Sequence, residues 1–253
     1  MKNLFEAAVK RLKRTFSPKS VRYQGLILPG RHLRFCGDDF RDDAYFVETA
    51  NAEADRLIKY AGMNSNSRVL DVGCGYGRLP LGIINRLGEI ALYQGVDVDR
   101  NAIQWCKKYI ERNHPNYKFL KIDVKNPRYN PKGKLNSSAF RFPFDDDSFD
   151  IIFLFSVFSH MVIEDIQKYL IEFNRLLSPK GKIFLTAFVE ENVPDMSINP
   201  EGYRREKWKG PLHCVRYNKN YLEAAFSESG FVIERFDYEK EKHGQSGYYL
   251  KLK

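Results

Sequence analysis

The chain has 253 residues, of which 43% are apolar and 29% are charged. That length fits one α/β domain with an inserted or appended element, and that composition excludes a chain that is disordered throughout. No window of about 18 uncharged apolar residues occurs, so no transmembrane helix is predicted. Lys and Arg interrupt the apolar N-terminal residues, and the four cysteines form no C-x-x-C pair. We therefore expect no signal peptide, free thiols and a cytoplasmic location.

The net charge of +9 is unevenly distributed along the chain. Residues 1–22 contain seven Lys or Arg and a single Glu, so most of the excess charge lies there. The rest of the chain is close to neutral. The global charge is therefore weak evidence for nucleic-acid binding.

The first 42 residues are predicted to form a basic amphipathic helix over 3–16 and a lead-in segment. Apolar residues at helical spacing define one face of that helix. They are Phe5, Val9, Leu12 and Phe16. This face could pack against the following domain, which we favour, or lie on an anionic membrane surface to which the protein would be peripheral. RNA binding is a third, less favoured interpretation.

The pattern of residues 43–188 alternates between helix and strand after an irregular segment over 18–41. Helices are predicted at 43–61, 78–87, 100–113 and 163–177. Strands are predicted at 68–72, 93–98, 117–122, 150–155 and 182–188. Strands separated by helices of 10–15 residues predict βαβ units and a mostly parallel sheet. Residues 125–147 are polar and rich in turns, and they are predicted to be an insertion.

The end of the chain departs from this alternation. A helix over 219–229 is followed by strands 231–238 and 246–252, which are close enough in sequence to pair as an antiparallel hairpin. The connection over 189–217 is long and contains aromatic and polar residues, and such loops are often functional. A ligand-binding lid and a plain surface excursion are equally open interpretations of it. The lid residues would be Tyr203, Trp208, His213 and Tyr217.

A glycine-rich run over 71–77 (DVGCGYG) lies between a predicted strand and a predicted helix. Glycines there allow a tight turn and let a ligand approach the backbone. Asp97 ends the next strand, 24 positions after Gly73, where a carboxylate can accept hydrogen bonds from both hydroxyls of a ribose. Nicotinamide and flavin sites prefer G-x-G-x-x-G, and the third glycine here comes one residue early for them.

Several motifs in this chain resemble those of class I S-adenosylmethionine-dependent methyltransferases. VLDVGCGYGR is similar to the first motif of that family, YQGVDVDRNAI to the second and FLKIDV to the third. FPFDDDSFDIIFLFSVFSHM resembles the fourth, and LLSPKGKIFLT resembles the fifth strand with its preceding turn. The resemblance covers roughly 45–188. It implies a Rossmann-like α/β fold over 43–253, with a doubly wound, mostly parallel seven-stranded sheet, an antiparallel last strand and S-adenosylmethionine as cofactor.

The resemblance assigns the first half of the cofactor site. Asp71 and the backbone at Gly73 and Gly75 would hold the loop around the methionine part of the cofactor. Asp97 would bind the ribose hydroxyls, with Val98 against the adenine. Asp71 as a mere loop cap and Asp97 as a solvated strand end remain alternatives.

The second half of the site comes from the next two strand ends. Asp123 would accept from the adenine amino group, with Val124 beside it, although Asp123 could instead be a turn residue. Phe155 and Ser156 would line the methionine end, near the sulfonium.

The residues at the end of the fourth strand constrain the acceptor. Phe155-Ser156-Val157-Phe158 lacks the Asn/Asp-Pro-Pro-aromatic motif of exocyclic amino methyltransferases, and it lacks the acidic residues of magnesium-dependent catechol enzymes. No cysteine has the context of cytosine C5 enzymes. We therefore expect metal-independent transfer to an oxygen or nitrogen of a small-molecule, glycoside or lipid-linked acceptor.

His160 is the candidate general base, because it lies just past the fourth strand, where the methyl group would point. A helix-capping or core histidine is the alternative. Two other functions stay open: an RNA or protein methyltransferase that uses the basic N-terminal helix, and a catalytically silent binding subunit. The three carboxylates Asp71, Asp97 and Asp123 argue against the silent subunit. The oligomeric state is not predicted.

Overall fold

A computed structural model describes residues 18–34, 37–135, 140–205 and 207–253. The predicted N-terminal helix over 3–16 lies outside the described residues. Within the described part of the chain, no helix is long and apolar enough to cross a membrane.

The strands and helices of the described residues follow in chain order. The strands are β1 Ser20–Tyr23, β2 Leu26–Pro29, β3 Arg68–Val72, β4 Leu92–Asp97, β5 Tyr117–Lys121, β6 Phe149–Leu154, β7 Leu177–Glu190, β8 Met196–Ile198, β9 Val215–Asn218, β10 Phe231–Asp237 and β11 Ser246–Leu252. The helices are α1 Asp43–Arg56, α2 Arg78–Leu87, α3 Arg100–Cys106, α4 Ile163–Leu176 and α5 Lys219–Glu228. The π-helical turns Leu57–Ala61 and Lys107–Glu111 continue α1 and α3.

The main sheet has the strand order β10-β11-β7-β6-β3-β4-β5, and β9 and β8 extend it from the end of β7. The strands from β7 to β5 are parallel, whereas β11 is antiparallel to both β7 and β10. The predicted doubly wound, mostly parallel α/β sheet of seven strands with an antiparallel last strand is confirmed. The short strands β8 and β9 are an addition that the sequence did not predict.

Two apolar cores cover the two faces of this sheet. Val69 and Leu70 are adjacent in β3 and belong to different cores, because successive strand residues point to opposite faces. Helices α1, α2 and α3 contribute to the core that contains Val69, and α4 and α5 to the core that contains Leu70. The sheet is therefore buried on both faces, and its strand ends are left to form the site.

Two predicted segments differ from the structure. The prediction of an irregular chain over 18–41 is wrong at β1 and β2, which pair as an antiparallel hairpin. Gln24 and Gly25 at its turn both have positive φ, of 47° and 81°, and such turns suit the twist of paired strands. The strand predicted at 182–188 is longer on both sides. Its first residue, Leu177, pairs with Phe149 of β6, and its last three residues pair with β9.

An aromatic segment over 140–149 leads into β6 and packs against α4. Glu172 of α4 accepts the backbone N–H of Phe142 at 2.8 Å, and Arg175 donates to the carbonyl of Phe144 at 2.8 Å. Phe173, fully buried, packs against the ring of Phe142 at 6.1 Å between centroids. This packing holds the segment that enters the central strand β6.

We predict that Phe173→Ala lowers the free energy of unfolding by about 3–5 kcal/mol, the usual loss for a buried Phe. Ile171→Ala is the matched control, because Ile171 lies on the same helix and is 62% exposed. Its expected loss is within about 0.5 kcal/mol. Urea denaturation of the two variants measures the difference, and equal losses would contradict the placement of this core.

Candidate functional site

A cleft of about 710 Å³ opens where the parallel strands β3, β4 and β6 end. Ligands of open α/β sheets bind outside the carboxyl ends of the strands, and small-molecule sites span about 300–1,000 Å³. The lining includes the three loops that follow these strands. Together with the last strand residues, they contribute Asp71, Val72, Gly73, Cys74, Gly75 and Tyr76 at the end of β3, Asp97, Val98 and Asp99 at the end of β4, and Phe155, Ser156 and Val157 after β6.

The glycine loop after β3 contains one glycine with open space beside its Cα and another that is tightly packed. Gly75 has φ +51°, and a Cβ added there would meet nothing within 4 Å. Gly77 has φ +78°, and a Cβ added there would lie 2.6 Å from Ile110 Cδ1. The backbone at Gly75 is therefore accessible from the cleft, whereas Gly77 lets the start of α2 pack against 107–111.

Asp97 connects the end of β4 to the glycine loop. Its Oδ2 accepts the Gly75 N–H at 2.8 Å, and its Oδ1 accepts the Asp99 N–H at 2.8 Å. Burial raises the pKa of Asp97, and hydrogen bonds from Asp99 and Gly75 oppose that rise. Each oxygen keeps a second lone pair, so the carboxylate can still accept from a ligand in the cleft.

Asp71 is buried at the end of β3, with 3% of its surface exposed. Burial raises its pKa to about 7, and the hydroxyl of Tyr93, which donates to Oδ2, opposes that rise. A cation bound in the cleft would favour the ionised form of this carboxyl. Asp71 thus lines the cleft, and its hydroxyl partner comes from the neighbouring strand.

The remaining residues predicted for the cofactor site do not all face the cleft. Val98, Val124 and Phe155 line it, and Val124 is 5% exposed. Asp123 is not among the described residues that line the cleft. Its carboxylate accepts from Lys121 Nζ at 2.7 Å and from Asn130 Nδ2 at 3.2 Å, which lowers its pKa. Its assignment to the adenine amino group stays a prediction that this geometry does not support.

Ser156 joins the end of β6 to the terminal hairpin. Its φ is +58°, an uncommon conformation for a residue other than glycine. The Ser156 N–H donates to Thr186 Oγ1 at 2.7 Å, and Gln245 Nε2 donates to Ser156 Oγ at 2.9 Å. The hydroxyl of Thr186 donates in turn to Gln245 Oε1 at 2.8 Å. Thr186 and Gln245, both buried, were missed by sequence reasoning, because they form no motif with Ser156.

His160 lines the cleft with one ring nitrogen already engaged. Its Nδ1 lies 3.1 Å from the carbonyl oxygen of Leu212. A carbonyl only accepts, so Nδ1 carries the proton and Nε2 of the neutral ring is the acceptor. Burial lowers the pKa of His160 to about 4, the bond to Leu212 opposes this, and the charge of Arg128 lowers it further. His160 is therefore neutral at neutral pH, with a fixed tautomer.

The predicted insertion and the predicted lid both contribute to the lining. Arg128 and Tyr129 come from 125–147, and Trp208 and His213 come from 189–217. Tyr217 does not line the cleft: it is fully buried, and its hydroxyl donates to the carbonyl of Met161. The lead-in segment and α1 add lining residues that the sequence did not indicate. They are Leu33, Arg34, Gly37, Phe40 and Phe46.

Comparison with known proteins gives concordant results. Residues 70–185 match the family described as "Methyltransferase domain". The chain is 30% identical to an uncharacterized protein of Haemophilus influenzae over 177 residues, which are 70% of this chain and 63% of that protein. It is 26% identical to a 2-phytyl-1,4-naphtoquinone methyltransferase of Nostoc punctiforme over 55% of this chain and 54% of that enzyme. The chain thus spans between half and two thirds of the length of these relatives.

A solved structure resembles the fold. A SAM-dependent methyltransferase from Aquifex aeolicus superposes with a TM-score of 0.53 at 19% identity, over 78% of this chain and 88% of that one. The sheet order, the glycine loop at the end of β3 and the match over 70–185 agree. The chain therefore matches a methyltransferase domain over 70–185 and shares the fold of a SAM-dependent methyltransferase.

Proposed function

We propose that this chain transfers a methyl group from S-adenosylmethionine to an oxygen or nitrogen of a small-molecule acceptor, without a metal ion. One observation carries the proposal: the Asp97 carboxylate is fixed by the N–H groups of Gly75 and Asp99 at the edge of an open glycine loop. That arrangement supports a ribose site beside backbone that a ligand can approach.

Four features of the cleft suit the cofactor. The missing side chain of Gly75 leaves open space on the backbone, and the cleft volume of about 710 Å³ suits a nucleoside and an acceptor together. Val98 and Val124 provide apolar surface for a base. Asp71 places an ionisable carboxyl where the positively charged methionine part would lie. Bound S-adenosylmethionine would supply an electrophilic methyl group for in-line displacement.

The chain itself contributes orientation and proton transfer. The hydrogen bonds of Ser156 to Thr186 and Gln245 hold the strand end that would border the methyl group. Nε2 of His160 is the acceptor for a proton leaving an acceptor hydroxyl. An amine that is already neutral would need no such base.

The quinone methyltransferase of Nostoc punctiforme supports a small-molecule acceptor, because its name states one. Metal independence rests on the residues at the end of β6. Phe155, Ser156 and Val157 supply no carboxylate there. Among the described residues, no group of three or more His, Cys, Asp or Glu lies close enough to hold a metal ion.

We predict that Asp97→Ala weakens binding of S-adenosylhomocysteine at least tenfold from an affinity near micromolar, about −8 kcal/mol. Hydrogen bonds to a charged acceptor contribute roughly 1.5–3 kcal/mol each. Asp55→Ala is the control, since Asp55 is an exposed carboxylate in an ion pair with Arg86. Isothermal titration calorimetry measures both variants. If the Asp97→Ala variant binds S-adenosylhomocysteine with wild-type affinity, Asp97 does not bind the ribose.

His160→Ala is expected to lower turnover of a hydroxyl acceptor by about 10²–10⁴ while S-adenosylhomocysteine still binds. Because the base must be neutral and its pKa is about 4, wild-type turnover should persist below the ordinary histidine pKa and fall only as the pH approaches 4. A pH–rate profile and a binding titration check these outcomes. Near-normal turnover in the variant would show that His160 is not the general base and has a structural role.

Turnover is expected to survive EDTA, because the cleft positions its groups without carboxylates at the end of β6. Activity measured before and after chelation, with magnesium added back, checks this. Complete loss that magnesium restores would overturn the metal-independent mechanism.

A further inference from the structure

One wall of the cleft is formed by aromatic rings, which we call the aromatic wall: Tyr129, His160, Phe188, Trp208 and His213. Tyr129 meets His160 at 5.3 Å between ring centroids, and Trp208 meets His213 at 5.3 Å. Phe188 lies 5.8 Å from Trp208. Flat rings pack against flat ligands at such separations. The wall therefore favours a planar molecule beside His160.

Arg128 brings a positive charge to the edge of this wall. Its Nη1 donates to the carbonyl of Lys209 at 3.3 Å, next to Trp208. Among the described residues it has no carboxylate within ion-pair distance, and its Nε is buried without a hydrogen-bond partner. Four other described Lys or Arg residues line the cleft, and three of them are paired: Arg34 with Asp43 at 2.7 Å, Arg78 with Glu53 at 3.4 Å and Lys242 with Asp39 at 2.6 Å. The fourth is Lys125.

Trp208 supplies a second unused donor. Its indole Nε1 is buried and has no hydrogen-bond partner in the described part of the chain. A buried N–H without a partner is unfavourable, so an oxygen of a bound molecule would stabilise it. Arg128 and Trp208 are brought together by the contact of Arg128 with Lys209. Both donors thus belong to residues that line the cleft, and Arg128 contacts the backbone next to Trp208.

The charge of Arg128 also acts on His160, whose pKa is lowered first by burial and then by this neighbouring cation. The same charge would stabilise an anionic oxygen in the cleft and would oppose a cationic amine. A guanidinium is well suited to bind a carboxylate through two parallel hydrogen bonds. The charge of Arg128 thus favours a planar acceptor that is anionic over one that is cationic.

We infer that the acceptor is a flat aromatic molecule that carries a hydroxyl and an anionic oxygen group, with Arg128 and Trp208 binding the anionic group. This inference rests on the proposed function. The hydroxyl proton passes to His160 Nε2 while the oxygen forms a bond to the methyl carbon. The carbon–sulfur bond breaks, and its electron pair stays on sulfur. The anionic group takes no part in bond formation and sets the position of the ring.

Calorimetry on the full chain saturated with S-adenosylhomocysteine tests this with three probes of similar size. They are 2-hydroxybenzoate, phenol and benzylamine, which are anionic, neutral and cationic. We expect 2-hydroxybenzoate to bind at least tenfold more tightly than phenol, and benzylamine to bind most weakly. Arg128→Gln should reduce the affinity for 2-hydroxybenzoate to that for phenol. Arg128→Lys should retain part of it.

The exposed Arg112 provides the matched control, and Arg112→Gln should leave all three affinities unchanged. Trp208 and Trp105 are the two tryptophans of the chain, and Trp208 lines the cleft whereas Trp105 is not among the described lining residues. Fluorescence quenching by 2-hydroxybenzoate should therefore disappear in Trp208→Phe.

Equal wild-type affinities for the three probes, or no binding of any of them, would overturn the inference. So would an Arg128→Gln variant that binds 2-hydroxybenzoate as the wild type does. If Arg128→Gln fails to fold, the wild-type ranking of the probes still decides. Failure of the wild type to bind S-adenosylhomocysteine in the preceding titration would instead refute the proposed function itself.

Discussion

The Asp97 carboxylate holds together the part of the molecule on which the site depends. It accepts backbone N–H groups from Gly75 and Asp99, so one side chain fixes both the glycine loop and the chain leaving β4. A carboxylate that accepts backbone N–H groups at the end of a strand can also accept hydrogen bonds from a ligand. The same bonds that stabilise these loops thus shape the proposed nucleoside site.

The opposite half of the cleft is assembled by contacts between distant segments. Ser156 after β6 is held by Thr186 of β7 and by Gln245, which precedes β11. His160 is held by the carbonyl of Leu212. The proposed cofactor side therefore depends on local loop geometry, whereas the proposed acceptor side depends on how the terminal hairpin and the long connection pack against the sheet.

This difference between the two sides limits how far the sequence could predict the site. The spacing of strands and helices predicted the parallel sheet, because each βαβ unit is local, and the glycine run and Asp97 are recognisable from motif position. The hairpin β1–β2 was not predicted, because its turn at Gln24-Gly25 is not among the common hairpin dipeptides. Arg128 and Gln245 were not predicted, because only tertiary packing brings them to the cleft. Asp123 was assigned by resemblance, but its carboxylate binds Lys121 and Asn130.

The central claim is that the loop between β3 and α2, together with Asp97, holds the nucleoside of S-adenosylmethionine. A crystal structure of the full chain with S-adenosylhomocysteine tests it most directly. We predict both ribose hydroxyls within about 2.5–3.0 Å of the Asp97 carboxylate oxygens, with the amino-acid end beside Gly75. A nucleoside bound elsewhere, or one whose ribose does not reach Asp97, would contradict the claim.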